Sequence, residues 1–206
     1  MSYNAGMNKK QSKYFLLVVI GLALAGLIAY AQIKSEEGVS KPSIVASNFG
    51  GPLDLIDETG KKFTDDNFED GKYRLIYFGF TYCPAICPTE LQRIATVLKS
   101  LDTQANILTP FFITIDPERD TVEVMKNYTA MFHPKLIGLT GTQKQIDQAK
   151  KSYKVYAAKV QDETMNDYTM DHSSFIYFIS PDNDLLRIFK ADDEIEDIIK
   201  IIKEYL

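Results

Sequence analysis

The strongest feature of the hydropathy pattern is a single uninterrupted apolar run. Between Lys13 and Lys34 lie 20 uncharged residues, Tyr14 to Ile33, reading YFLLVVIGLALAGLIAYAQI. At about 1.5 Å rise per residue, a helix of that length spans the ~30 Å hydrocarbon core of a bilayer, so the pattern predicts one transmembrane helix at 14–33. Residues 34–47 (KSEEGVSKPSIVAS) are polar and carry Gly38 and Pro42, the composition of a linker.

From 48 to 206 short apolar runs alternate with amphipathic ones. Residues 49–63, with Leu53 and Leu55 and a turn at 57–60, read as a hairpin, and 73–80 (YRLIYFGF) as a strand buried on both faces. Leu91, Ile94, Ala95, Leu98 and Leu101 then recur at helical spacing, followed by an apolar strand at 110–116 (PFFITID). A helix is expected at 121–132, a short strand at 136–139, a helix at 142–153 and a strand at 155–160. Residues 173–180 and 185–189 flank a turn at 181–184 and predict a second hairpin. Ile195, Ile198, Ile199, Ile202 and Leu206 form one face of a last helix. This order predicts an α/β fold, a thioredoxin-like three-layer sandwich at 48–206 behind the N-terminal transmembrane helix.

Composition narrows the function. The 206 residues are 45% hydrophobic and 25% charged, an ordinary globular balance that excludes low-complexity and collagen-like chains. A net charge of −5 argues against nucleic-acid binding, which needs a basic face. The first 34 residues hold Lys9, Lys10, Lys13 and Lys34 and no acidic residue, so the remainder is more acidic still. By the positive-inside rule residues 1–13 form a cytoplasmic tail, and residues beyond 33 are exported. Ala29-Tyr30-Ala31 also has the form of a signal-peptide cleavage site, a rival reading that exports the same domain. The bacterial inner membrane with a periplasmic domain follows. A mitochondrial inner-membrane location facing the intermembrane space fits less well, because the 13 leading residues contain no Arg.

The chemistry concentrates in FTYCPAICPTE, residues 80–90, where Cys83 and Cys87 follow a buried strand and precede an amphipathic helix. With Pro88 as the first helical residue, Cys87 would be the N-cap, and the helix dipole would ease ionisation of both thiols. Residues four apart on a helix keep their Cβ atoms about 5–6 Å apart, whereas a disulfide wants about 3.5–4.5 Å. The pair can therefore alternate between a disulfide and an open dithiolate if the loop distorts. Two thiolates need a third donor, and the chain offers only His133 and His172. His172 lies at the mouth of an apolar strand, whereas His133 precedes Pro134 and reads as a helix-end surface residue. Two thiolates and an imidazole suit Cu(I) better than Zn(II), whose structural sites are closed by four ligands. A structural disulfide with a structural His172 is the plain alternative. Asp116 to Asp120 (DPERD) either caps the next helix or serves the site.

As a set, FGFTYCPAICP, FFITIDPERDT, FHPKLIGLTGT and YTMDHSSFIYFISPDN, running in this order behind an N-terminal apolar segment, resemble the SCO (SenC) family of copper chaperones for cytochrome c oxidase assembly. The resemblance implies a thioredoxin-like fold and copper, as Cu(I) and as Cu(II), held by Cys83, Cys87 and His172. It further implies delivery of copper to the copper A centre of oxidase subunit II, or prior reduction of that subunit's cysteines, with a copper donor protein upstream. Two other activities compete: a thiol-disulfide oxidoreductase using Cys83 and Cys87 as its redox pair, and a peroxidase. The latter is prompted by Cys87-Pro88-Thr89-Glu90, but the threonine that peroxiredoxins place three residues before their cysteine is Pro84 here, and Phe80 relative to Cys83.

Overall fold

The computed structural model describes residue 15 and residues 18–26, 49–161 and 167–206. The chain divides into two units, Met1–Ser43 and Ile44–Leu206. In the first, residues 18–26 are helical, with Val18, Val19, Ile20, Leu22 and Leu24 exposed. Among the described residues no helix is long and apolar enough to cross a membrane. The rest of the segment expected at 14–33, and the tail and linker on either side, lie outside the described residues.

The second unit is built on a seven-stranded mixed sheet. In chain order its elements are β1 (Asp54–Asp57), β2 (Lys62–Thr64), β3 (Tyr73–Gly79), α1 (Ile86–Leu101), β4 (Leu108–Thr114), α2 (Val122–Thr129), β5 (Ile137–Thr140) and α3 (Gln143–Ser152). Then follow β6 (Ala157–Gln161), β7 (Tyr168–His172), β8 (Phe175–Ile179), β9 (Leu185–Lys190) and α4 (Ile195–Lys203). The sheet order is β2-β1-β5-β4-β3-β8-β9, with β6 and β7 forming a separate two-stranded ribbon. Strands β3, β4 and β5 run parallel, and β8 is antiparallel to β3. Two parallel strands joined by a helix and flanked by an antiparallel hairpin give the expected thioredoxin-like arrangement.

The local reasons are those read from the sequence. β3 is buried over its last six residues, as a central strand covered on both faces must be. Alternation along it sends Tyr73, Leu75 and Tyr77 to one side and Arg74, Ile76 and Phe78 to the other. Tyr77 meets Cys87 of α1, whereas Phe78 packs 5.4 Å from the ring of Tyr153, the C-cap of α3. Helices thus cover both faces, and the core lies between them. Thr142 caps α3 through a capping box with Gln145, and Thr121 caps α2. The hairpin of β1 and β2 turns through Gly60 at φ 83°, a left-handed conformation that glycine adopts without steric cost.

One strand went unread in the sequence. β7 (YTMDH) carries a single buried residue, Met170, and pairs with β6 in a register that sets His172 opposite Ala157. Its polar positions give no clean apolar alternation, so only its partner identifies it.

Candidate metal and thiol site

The loop between β3 and α1 places both cysteines. Helix α1 starts earlier than expected: the Thr89 N–H bonds to the Ala85 carbonyl at 3.3 Å, Ala85 is the N-cap, and Cys87 sits inside the first turn. Pro88 allows this, because the N–H it lacks is among those that have no partner inside the helix anyway. The Ala85 side chain cannot cap, and the Cys87 N–H instead donates to Cys83 Sγ at 3.3 Å. Cys83 therefore fills the position at the positive helix end that the sequence assigned to Cys87.

Both thiols are free and buried, Cys87 completely. They do not ionise alike, contrary to the expectation of two activated thiols. Hydrogen bonding from Cys87 pushes the Cys83 thiol down to about 4, against the opposing cost of burial, with the backbone N–H groups at the helix end adding to the shift. The Cys87 thiol moves the other way, because it donates to Cys83 and lies deeper. One negative charge is shared by the pair and rests on Cys83.

His172 arrives from the far end of β7, with Nε2 3.5 Å from Cys87 Sγ. Its Nδ1 lies 2.9 Å from the Ser173 carbonyl oxygen. A carbonyl only accepts, so Nδ1 carries the proton and Nε2 turns a lone pair toward the sulfurs. The ring also stands edge-on to Phe80, with centroids 5.8 Å apart. His133 is elsewhere, its Nδ1 accepting from the Lys135 N–H at 3.1 Å. Among the described residues no group of three or more His, Cys, Asp or Glu side chains is arranged as a ready-made metal cage. Enclosing an ion between the two sulfurs and the imidazole thus takes side-chain movement at the loop.

The donor set nevertheless fits a soft ion: two sulfurs, one able to ionise at neutral pH, and a correctly protonated imidazole in an apolar surround. The site has no room to spare. A Cβ added to Gly79 would stand 2.8 Å from Cys87 Sγ and 2.9 Å from Tyr77 Cε1. Its isolated position inside a strand pattern was the available signal for a close approach.

The DPERD segment belongs to this architecture and does not cap α2, whose N-cap is Thr121. Asp120 is fully buried and accepts from the Thr81 N–H at 3.1 Å, the Thr81 hydroxyl at 2.5 Å and the Thr114 hydroxyl at 2.6 Å. It thereby ties the cysteine loop to β4, and burial raises its carboxyl above the ordinary value. Asp116 accepts from Arg119 Nε at 2.6 Å and from the Tyr168 hydroxyl at 2.7 Å. The Arg119 guanidinium lies 3.8 Å over the Tyr168 ring and donates to the Tyr168 carbonyl at 2.9 Å. Tyr168 opens the strand that ends in His172, so this cluster fixes β7 against the strand-end loop.

Comparison with known proteins places these features in context. The SCO1/SenC family model matches residues 41–206. A mitochondrial SCO1 homologue of Arabidopsis thaliana is 36% identical over 208 residues, covering 93% of this chain and 61% of that protein. The chain thus spans about three-fifths of that relative's length. An SCO2-like protein of Rickettsia prowazekii is 38% identical over 203 residues, covering 95% of this chain and 98% of that protein. The structure of Bradyrhizobium japonicum ScoI with copper bound is 42% identical, covers 77% of this chain and 99% of that one, and has a TM-score of 0.70.

Proposed function

The chain belongs to the SCO1/SenC family, and from that membership and its site we propose that it is a membrane-anchored copper metallochaperone. In this reading Cys83, Cys87 and His172 hold copper in transit and pass it to the copper A centre of cytochrome c oxidase subunit II, after receiving it from a donor protein. The observation that carries the reading is the 3.5 Å approach of His172 Nε2 to Cys87 Sγ, with Cys83 Sγ held at the N–H of the same cysteine. Soft sulfur ligands favour Cu(I), and a third donor from another element allows copper to leave by stepwise ligand exchange. The apolar run at 14–33 would anchor the domain beside a membrane-bound client, on the periplasmic side of a bacterial inner membrane.

The test is a Cu(I) titration of the reduced protein beside its His172→Ala variant. One copper bound per chain, with retention in the variant at least tenfold weaker and the fold unchanged, is the expected result. Equal retention would remove His172 from the ligand set, and no binding by the parent protein would end the copper reading.

The asymmetry of the cysteines favours a second activity of the same pair. A thiolate on Cys83 beside a protonated Cys87 is the starting state for thiol-disulfide exchange, with Cys83 attacking a client disulfide and Cys87 resolving the mixed disulfide. Reduction of the client's cysteines before copper delivery is the use this reading gives it.

A further inference from the structure

The hydroxyl of Tyr77 touches both halves of the site, Cys87 on α1 and Ser174 beside the His172 segment. It lies in β3 among apolar side chains, with Arg74 on the opposite face, and it is fully buried. Its oxygen stands 3.5 Å from Cys87 Sγ, to which it donates, and 3.0 Å from Ser174 Oγ. A phenol has one proton. With that proton directed at the sulfur, the Ser174 hydroxyl must donate to Tyr77, giving a directed chain from Ser174 through Tyr77 to Cys87. Ser174 adjoins Ser173, whose carbonyl holds the His172 ring. One phenol therefore connects the cysteine on α1 to the segment that carries the imidazole.

We propose that Tyr77 is a positioning residue of the metal site, donating to Cys87 sulfur and stabilising it as a thiolate ligand while registering it against the His172 segment through Ser174. The proposal rests on the copper reading given above. The physical reason is the change in the acceptor: a hydrogen bond to a thiolate is charge-assisted, whereas one to a neutral thiol is weak. The bond therefore strengthens when Cys87 loses its proton to a metal, and it favours the metal-bound state over the empty one. Tyr77 is not itself a ligand.

The experiment compares the parent protein with Tyr77→Phe and Ser174→Ala, each checked for an unchanged unfolding midpoint. Cu(I) affinity is measured by competition with a chromophoric chelator, and the energy of the thiolate-to-Cu(II) charge-transfer band by absorption. Loss of one charge-assisted hydrogen bond predicts roughly tenfold weaker Cu(I) retention for Tyr77→Phe. The band should move to lower energy, because a sulfur without the donor gives up its electrons more easily. Ser174→Ala should move both readouts in the same direction by less, and it decides the matter if Tyr77→Phe fails to fold. Unchanged band energies in both variants overturn the proposal, even with weaker binding, because a packing role alone leaves the band in place. Failure of the parent protein to bind copper defeats the chaperone reading instead, so the two failures are separable.

Discussion

The Nε2 atom of His172 stands 3.5 Å from Cys87 Sγ across 85 positions of sequence. The approach depends on two attachments. Cys87 is fixed by the first turn of α1, and His172 by the pairing of β7 with β6 and by the Ser173 carbonyl. Each attachment makes a prediction about what happens when it is loosened.

The charge shared between the cysteines predicts unequal reactivity. With its thiol pushed down to about 4, Cys83 is a thiolate across pH 5 to 8, whereas an ordinary thiol loses about tenfold in thiolate per pH unit over that range. Iodoacetamide labelling followed by mass spectrometry should modify Cys83 first, at a rate nearly flat between pH 5 and 8. Steep, equal labelling of Cys83 and Cys87 with a midpoint near 8.5 would contradict the assignment.

Gly79 tolerates no side chain. The Cβ of Gly79→Ala would press on Cys87 Sγ at 2.8 Å and on Phe112 Cε2 at 3.0 Å, both in the packed core. Overpacking of this kind costs about 1–3 kcal/mol. Urea unfolding should show a lowered midpoint with an unchanged slope, and copper retention should fall because the sulfur has been displaced. A variant as stable as the parent would mean that the strand moves freely at this position.

Arg119 holds the ribbon that delivers the histidine. Its partner Asp116 is buried, with a side chain 1% exposed, and so removal of the guanidinium strands a carboxylate in the core. Loss of one partner of a buried pair costs about 3–5 kcal/mol. Arg119→Lys keeps the charge but not the stacking over Tyr168, so it should be the milder variant. Amide hydrogen exchange reads the effect: protection of 168–172 should fall in Arg119→Lys while that of β3 and β4 is retained. Unaltered protection of 168–172 would show that β6 alone secures the strand.

The linear chain determined much of the architecture. The continuous apolar run of β3, the helical spacing of Leu91 to Leu101 and the hairpin around residues 181–184 follow from which neighbours are apolar and which residues turn. These are local properties, and the structure repeats them. The same reading singled out Cys83, Cys87 and His172 by residue type. Tertiary structure alone decided how those side chains meet. β7 becomes a strand only by bonding to β6, because its own pattern is too polar to declare it. Which cysteine ionises is settled by depth and by who donates to whom, and only Cys83, whose sulfur accepts at the start of α1, is eased. Tyr77 read as part of a buried strand and Asp120 as either a helix cap or a member of the site, and their hydroxyl and carboxylate took their roles from Cys87, Ser174 and Thr81. Periodicity along a chain reports burial, but hydrogen-bond partners are chosen across space, by strand register and packing.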